Sequence, residues 1–369
     1  MTHHPTGTLR GCVLTEIGWI AGQLRYDDRV LAMEGDPVRS PTPPYIVPGF
    51  VDLHIHGGGG ADVMQGAAAI RQMARLHARH GTTSLLATTI TAPVAEIDAA
   101  LDGCRAAIEA PEPAAARVLG VHLEGPFINP DKLGAQPPFA RPADIDLFHR
   151  WAARAPIKIV TFAPECDPDG ALEHAIRAAG AKPQIGHSLC DYAAARAGIE
   201  RGCGVTHLYN AMTGFAHRGN GIAGAALAHA GHAEVIADLI HVEPGAILAA
   251  RRAIPNLYAV SDATAGAGMP DGDYQLGRHA VTKRNGAMRL DDGTLAGSAL
   301  TLDQGLRNLV SIGLPLAEAC RRVASIPAAW ISRSDLGVLR PGTLADMVVL
   351  DGDLAVTQTF VSGQRVAGG

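Results

Sequence analysis

Short apolar runs of strand type alternate along this chain with alanine-rich segments of helical periodicity, and this alternation limits the possible folds. Alternating strands and helices form parallel strands joined by right-handed crossovers. About eight such units are present, the number found in a (β/α)8 barrel. A doubly wound open sheet is the competing architecture, but no G-x-G-x-x-G sequence follows the first strand. The strand-like runs lie at 46–54, 83–90, 117–123, 157–163, 183–187, 204–208, 234–240 and 257–262, and helical segments include 67–80, 93–110, 169–180, 191–201 and 244–253.

The two ends of the chain do not fit a barrel. Residues 1–45 and 335–369 contain short β-like runs, which predict one small β-sandwich domain formed by both termini. The barrel is then expected to span residues 46–334. A β excursion is expected near residues 274–296, after the eighth strand, because Asn285-Gly286 and Asp292-Gly293 are typical hairpin turns.

The composition excludes several classes of protein. The chain has 369 residues, of which 47% are hydrophobic and 18% charged, and this suits a compact, enzyme-sized core. A net charge of −5 with only four lysines argues against a nucleic-acid partner. Six scattered cysteines without C-x-x-C spacing indicate reduced thiols, and no apolar stretch approaches the length of a membrane span. We therefore expect a cytoplasmic protein with neither a nucleic-acid nor a membrane partner.

Histidines and carboxylates follow the ends of most of the expected barrel strands. In a barrel all these strand ends lie on one rim, where (β/α)8 enzymes build their active sites. Each side chain alone could be an ordinary hydrogen-bonded strand terminus or helix cap. Together, imidazoles and carboxylates on one rim indicate a TIM-like metallohydrolase barrel with a divalent metal site. The residues concerned are His54, His56, Glu124, His187, His207, His241 and Asp262.

Two motifs point to a known family. The chain carries H-x-E-G-P-F at His122–Phe127 and T-H-L-Y-N-A-M at Thr206–Met212, a specific combination. With these motifs, the chain resembles the N-acetylglucosamine-6-phosphate deacetylase family of the amidohydrolase superfamily. The other matching stretches are Pro48–Gly60, Gly186–Ser188, His241-Val242, Ser261–Ala263 and Gly293–Thr301, which together cross the whole barrel.

The resemblance implies a divalent metal cofactor. Glu124, His187 and His207 correspond to the ligands of one ion. Family members that have the H-x-H pair use it to hold a second ion. In this chain the pair is His54 and His56, and Glu124 would bridge the two ions. Zinc or iron suits these ligands, with one or two ions per subunit.

The resemblance also implies the reaction. It would be hydrolysis of the acetamide of N-acetylglucosamine 6-phosphate, with glucosamine 6-phosphate and acetate as products. Asp262 corresponds to the general base and acid: it would take a proton from a water molecule activated by the metal and deliver it to the departing amine.

Further residues are implied in binding the phosphorylated sugar. Arg218 corresponds to an arginine that reaches the neighbouring subunit's site, which would make a homodimer functional. Asn210 and Ala211 would contribute polar and backbone contacts, and His241 is expected near the sugar or its phosphate. Gln136 stands where some relatives have a substrate-contacting histidine; glutamine donates a hydrogen bond but carries no charge.

Three alternative functions remain at this stage. A dihydroorotase- or hydantoinase-like enzyme would need a carboxylated lysine ending strand four, whereas Lys158 lies near the start of that strand. A deacetylase for the galactosamine epimer differs by one inverted hydroxyl, which leaves no mark in the sequence. A non-catalytic barrel that serves as a scaffold should have lost a ligand or the acid–base residue, and all of these residues are present.

Overall fold

The computed structural model describes residues 6–366 and contains a barrel of eight parallel strands. The strands are hydrogen-bonded side by side in chain order, as consecutive strand–helix units require. Their residues are almost all buried because helices cover the outside of the sheet. We number the barrel strands one to eight: Phe50–Ile55, Thr82–Thr89, Arg117–Glu124, Ile157–Phe162, Lys182–Ile185, Gly204–Val205, His232–Ile236 and Asn256–Val260.

The helices cover the barrel with amphipathic faces. In the helix Ile145–Arg154, for example, Asp144 caps the first turn by accepting a hydrogen bond from the Leu147 amide. The buried face of this helix consists of Leu147, Phe148 and Trp151. The five helical segments expected from the sequence are all present, with ends within two residues. The helices are Ala67–Arg79, Val94–Glu109, Ile145–Arg154, Ala171–Ala178, Tyr192–Glu200, Gly221–His229, Pro244–Ala253, Leu302–Ser311, Leu316–Val323 and Ser325–Trp330, with short 3-10 turns at Val63–Gln65 and Pro164–Cys166.

The barrel closes where its last strand meets its first. The Asp262 amide donates to the His54 carbonyl at 2.9 Å, and the His56 amide donates to the Ala263 carbonyl at 2.8 Å. These bonds lie just beyond the carboxyl ends of strands one and eight. They confirm the predicted barrel and fix His54, His56 and Asp262 next to one another.

Both ends of the chain contribute to a second sheet of seven strands, which confirms the predicted small β domain. The rings of Tyr26 and Phe360 lie 5.4 Å apart although their strands are not neighbours, because the sheet folds over a shared core. Arg117 of barrel strand three forms an ion pair with Asp346 at 3.0 Å and ties this sheet to the barrel. In sheet order the strands are Gln364–Arg365, Val356–Val361, Met347–Leu350, Tyr45–Pro48, Gly7–Thr15, Gly18–Tyr26 and Val30–Val38.

The first apolar run is two strands rather than the single one that its sequence indicates. Tyr45–Pro48 pairs with Met347–Leu350 in the terminal sheet, and Phe50–Ile55 begins the barrel. Gly49 separates them, and a side chain there would meet Thr83 at 2.3 Å. We propose that the boundary between the two units lies at Gly49, a few residues after the expected position.

The expected excursion after strand eight is a four-stranded antiparallel sheet. Its strands are Gly272–Leu276, His279–Arg284, Ala287–Arg289 and Leu295–Ser298. Asn285 and Gly286 form the expected tight turn, with φ of 51° and 78°, values that favour asparagine and glycine. The Ser298 amide donates to the Asp262 carbonyl at 2.7 Å, so the last excursion strand returns to the end of strand eight. A smaller ribbon, Gly57–Gly58 with Ala61–Asp62, follows strand one.

Two further findings concern the cysteines and the helices. All six cysteines are unpaired, and all but Cys166 are buried.

Within residues 6–366, no helix combines the length and the hydrophobicity that crossing a bilayer requires.

Candidate metal centre and substrate cavity

Six of the residues expected to carry chemistry converge at one end of the barrel. Each is within two residues of the carboxyl end of its strand and at most 7% exposed. Parallel strands place these ends on one rim, which is why residues far apart in sequence meet there. They are His54 and His56 at strand one, Glu124 at strand three, His187 at strand five, His207 at strand six and Asp262 at strand eight.

The first group of candidate metal ligands consists of Glu124, His187 and His207. The Nε2 atoms of both histidines lie 3.0 Å from Oε1 of Glu124 and 3.1 Å from each other. One carboxylate with two imidazoles is a ligand set for zinc or iron that leaves coordination positions for water.

The second group consists of His54, His56 and Asp262. The two Nε2 atoms are 3.3 Å apart, and Oδ1 of Asp262 lies 3.5 Å from the first and 3.3 Å from the second. Glu124 connects the two groups, because its Oε2 is 3.2 Å from Nε2 of His56 while its Oε1 faces His187. The structure therefore places two groups of candidate ligands side by side, with Glu124 between them.

Hydrogen bonds on the far side of three imidazoles set their orientation. The Nδ1 atom of His54 lies 2.9 Å from the Glu234 carboxylate. The Nδ1 atom of His56 lies 3.2 Å from the Thr88 carbonyl oxygen. The Nδ1 atom of His187 lies 2.9 Å from the Lys132 carbonyl oxygen. These oxygens only accept, so each Nδ1 carries a proton and each Nε2 faces the site. A metal ion that displaces the proton from Nε2 would find the imidazoles already oriented for binding.

The packing of these nitrogens fits a bound cation. Lone pairs of two Nε2 atoms only 3.1 or 3.3 Å apart repel unless a proton or a metal ion lies between them. Burial lowers the pKa of His56, but the hydrogen bonds that its imidazole donates to Asp262 and Glu124 outweigh burial and raise the pKa to about 9. The carboxylates thus create an excess of negative charge at the site, which a divalent ion neutralises.

Asp262 is held in its ionised form. Burial alone would raise its pKa, yet the neighbouring His54 and His56 lower it to about 2. The pKa of Glu124 is likewise held well below its ordinary value by His54 and His187, against the effect of burial. Both carboxylates are therefore negative at neutral pH, and Asp262 is able to accept a proton.

The backbone is strained at three of these residues. His187, His207 and Asp262 have φ of 47°, 25° and 49°, in the left-handed region. Each such conformation costs about 1–3 kcal/mol and persists only where surrounding structure enforces it. In this case it turns three side chains inward immediately after their strands end.

A cavity of about 380 Å³ opens above the two groups. Four of the five residues expected to bind the substrate line it: Gln136, Asn210, Ala211 and His241. Arg218 is different, because it is exposed on the loop after strand six and is not among the described residues around this cavity.

Gln136 is already engaged within the chain. Its Oε1 accepts a hydrogen bond from the Thr91 amide at 2.7 Å, and its Nε2 donates to Oε2 of Glu124 at 2.5 Å. The amide therefore orients the carboxylate that connects both ligand groups. We propose this positioning role for Gln136, in place of the expected direct contact with substrate.

His241 is fixed by its neighbour Asp238. The Nδ1 atom lies 2.6 Å from Oδ2 of Asp238, whose other oxygen accepts the His241 backbone amide at 2.8 Å. Burial lowers the pKa of His241, but Asp238 outweighs burial and raises it. The imidazole therefore favours positive charge at the wall of the cavity.

Two contributions to the site were absent from the sequence-based expectations. Glu234, fully buried in strand seven, accepts hydrogen bonds from His54, from the His207 amide and from Gln184. Its signal in the sequence is a glutamate inside the apolar run of a barrel strand. Arg289, on the excursion, also lines the cavity, although nothing local in the sequence indicates that the excursion folds over the rim.

Comparison with known proteins agrees with this architecture. Residues 45–366 match the model of the amidohydrolase family. The chain is 37% identical to the N-acetylgalactosamine-6-phosphate deacetylase of Escherichia coli O157:H7, over 95% of this chain and 97% of that protein. It is 38% identical to the N-acetylglucosamine-6-phosphate deacetylase of Bacillus subtilis, over 88% of this chain and 85% of that protein.

A solved structure extends the likeness to three dimensions. It is a mutant N-acetyl-D-glucosamine-6-phosphate deacetylase from Mycobacterium smegmatis in complex with N-acetyl-D-glucosamine-6-phosphate, 31% identical to this chain. It superimposes with a TM-score of 0.90 over 99% of this chain and all of that one. The chain therefore belongs to the amidohydrolase family and, within it, to the N-acetylglucosamine-6-phosphate deacetylase family.

Proposed function

We propose that this protein hydrolyses the acetamide of N-acetylglucosamine 6-phosphate to glucosamine 6-phosphate and acetate. The observation that carries the proposal is the pair of adjacent candidate ligand groups, which meet at Glu124, include the ionised Asp262 and adjoin a cavity of about 380 Å³. Two relatives at 37% and 38% identity, matched over 97% and 85% of their length, are named as deacetylases of N-acetylated amino-sugar phosphates, which supports this substrate class.

The cofactor would be a divalent metal held by two groups of side chains. Glu124, His187 and His207 would hold one ion, and His54 and His56, with Glu124 as the bridge, a second. A zinc or iron ion bound there lowers the pKa of water to roughly 7 and polarises a carbonyl oxygen. The Nδ1 contacts described above keep the imidazoles ready for this role without rearrangement.

Asp262 would move the proton. Its carboxylate accepts a proton from the attacking water as the new carbon–oxygen bond forms at the acetamide carbon. It then returns that proton to the sugar nitrogen as the carbon–nitrogen bond breaks, so that amine and acetate leave. Its low pKa supports the first step, because the group is ionised before reaction.

The remaining residues would bind the sugar. Asn210, Ala211 and His241 line the same cavity as the candidate metal ligands and would contact the sugar hydroxyls or the phosphate. Arg218 would enter the neighbouring subunit's cavity in a homodimer; its exposed position beside Phe215, which is 61% exposed, supports this assembly. The six unpaired cysteines support a cytoplasmic location.

N-acetylgalactosamine 6-phosphate is the second candidate substrate. It is favoured by the similarity to the Escherichia coli enzyme, which covers more of both chains than the match to the Bacillus subtilis enzyme. A carboxylated-lysine enzyme is not supported, because Lys158 is the second residue of barrel strand four, remote from the carboxyl rim.

The test is acetate release by the metal-reconstituted protein. We would compare N-acetylglucosamine 6-phosphate, its galactosamine epimer and unphosphorylated N-acetylglucosamine at equal concentrations. Fastest turnover of the first substrate is expected. Preference for the epimer would transfer the assignment to the second candidate, and absence of turnover with all three despite bound metal would refute both.

A further inference from the structure

One wall of the cavity carries a cation. The candidate metal ligands Glu124, His187 and His207 line the same cavity, as does Asp262, and the acetamide of a bound sugar has to reach them. The phosphate at the other end of the sugar then needs a cation elsewhere on the cavity wall. Among residues 6–366, Arg289 is the one arginine or lysine that lines this cavity.

The position of Arg289 is set by the turn that follows it. Its Nη1 donates to the Gly293 carbonyl at 2.8 Å, and the turn is closed by backbone bonds of 2.9 Å between Leu290 and both Gly293 and Thr294. A guanidinium has five N–H groups. The others have no partner among the described residues, and the side chain is exposed, so they are available to a ligand.

The strand after this turn connects Arg289 to the reacting end of the site. Ser298, at the end of that strand, donates its amide to the Asp262 carbonyl at 2.7 Å and accepts from the Thr264 amide at 2.9 Å. The hairpin that carries Arg289 is thus attached directly to the backbone of the proposed acid–base residue. Such an attachment fixes the separation between the cation and the site of amide cleavage.

A second positive group lies nearby. The charge of Arg289 acts on His241, where it opposes the effect of Asp238 on the imidazole pKa. Both side chains line the cavity, and the phosphate of a bound sugar would be attracted by both. A guanidinium presents two parallel N–H groups to one phosphate, a contact that an imidazole cannot make.

We propose that Arg289 binds the 6-phosphate of a substrate held in the cavity of its own subunit. This contact would make each subunit selective for phosphorylated sugars. The inference rests on the proposed function and adds an intrachain phosphate contact to the one expected from a neighbour's Arg218. Arg289 is a binding residue that discriminates between substrates, and it takes no part in the proton transfers.

The first test compares Arg289→Gln and Arg289→Lys with the wild type. Arg289→Gln is expected to raise KM for the phosphorylated sugar roughly 10- to 100-fold with kcat little changed, as for loss of a charged hydrogen bond. Turnover of the unphosphorylated sugar should stay as in the wild type. Arg289→Lys should recover part of the loss, because it keeps the charge but not the paired donors.

Arg284→Gln is the matched control. Arg284 is exposed at the end of the preceding excursion strand and does not line the cavity. It should leave both substrates unaffected, and all variants should keep the wild-type melting temperature. An equal loss of activity on both substrates in Arg289→Gln, or no change in KM, would overturn the proposal.

A binding measurement separates this inference from the proposed function. Calorimetric titration of metal-loaded protein with glucosamine 6-phosphate, the product, requires no turnover. Weaker binding in Arg289→Gln than in Arg284→Gln supports the phosphate contact, and equal or undetectable binding in both refutes it. Binding that depends on Arg289, combined with no acetate release by the wild type, would refute the deacetylase function alone.

Discussion

The Nδ1–H group of His54 donates a hydrogen bond to Oε2 of Glu234 at 2.9 Å, inside the barrel and out of contact with water. The other oxygen, Oε1, accepts from Gln184 at 2.9 Å and from the Tyr258 hydroxyl at 3.2 Å. Glu234 therefore forms a fixed anionic support below a proposed metal ligand. Such partners determine the orientation and basicity of the ligating imidazole.

Replacing Glu234 by Gln should weaken metal binding at the His54 group. The neutral amide loses the charge that holds Nδ1–H, so affinity for the second ion should fall roughly 10- to 100-fold. Metal content after dialysis against a graded chelator would measure this. Tyr258→Phe is the control, because it removes a single hydrogen-bond donor to Glu234 and keeps the carboxylate. Unchanged metal affinity in Glu234→Gln would contradict the positioning role of Glu234.

Replacing Asp262 by Asn should reduce kcat by about 10²- to 10⁴-fold, the usual contribution of a general acid–base. The amide can neither accept the proton from water nor return it to the leaving nitrogen. Steady-state acetate release and metal analysis would be measured on the same preparation, and the ion at Glu124, His187 and His207 should be retained. Wild-type kcat in this variant would remove Asp262 from the mechanism.

Removing the metal should lower the stability of the fold. The ligand side chains converge with Nε2 lone pairs only 3.1 to 3.3 Å apart, so the folded protein should bind a divalent ion far better than the unfolded chain does. Zinc at 1,000 times its Kd then adds about 4 kcal/mol to the free energy of unfolding.

Thermal unfolding with chelator, and again after zinc is restored, would measure this contribution. In His207→Gln, which lacks a ligand of the first group, the zinc-dependent shift should shrink. An identical melting temperature with and without zinc in the wild type would show that the residues do not hold a metal.

His77 should make stability depend on pH on the acid side. Burial lowers its folded-state pKa to about 4, although the hydrogen bond with the Gly57 carbonyl partly opposes this effect. Because the folded pKa is below the unfolded value of about 6.5, the unfolded chain gains a proton first as pH falls. Stability from this group is complete above about pH 6.5 and is lost down to about pH 4, on the order of 3 kcal/mol in total.

Chemical denaturation at several pH values between 7 and 4.5 would measure this dependence. In His77→Gln the free energy of unfolding should vary less steeply over this range than in the wild type, although its value at pH 7 falls through lost packing. Equal slopes for the two proteins would show that His77 does not titrate as described.

The convergence of these side chains could be predicted from the sequence because each lies at, or within two residues of, the end of an apolar strand. Once eight such strands are recognised, barrel geometry alone brings His54, Glu124 and Asp262 together. The roles of Glu234 and Arg289 depend instead on contacts between distant segments. Glu234 meets His54 across 180 positions, and Arg289 reaches the cavity only because a hairpin folds back to strand eight.

Gln136 and Gly49 show two other limits of the sequence. The motif around Gln136 indicates a place in the site, but which partner its amide binds is settled by packing against Thr91 and Glu124. The apolar run through Gly49 contains Pro48-Gly49, a dipeptide that commonly interrupts a strand, but the sequence does not show which sheet each half joins. The close approach of Thr83, and the pairing of Tyr45–Pro48 with the distant C-terminal strand, divide it in two.

The contact at Gly49 makes the terminal sheet a structural support for the first strand of the barrel. The Gly49 amide donates to the Asp346 carbonyl at 2.9 Å, and the next residue starts the strand that ends in His54 and His56. The first of these histidines, His54, is only five positions after the anchored glycine. Loss of the segment that carries Asp346 would remove this anchor, so the C-terminal part of the chain holds the start of the strand on which the first two histidines of the site depend.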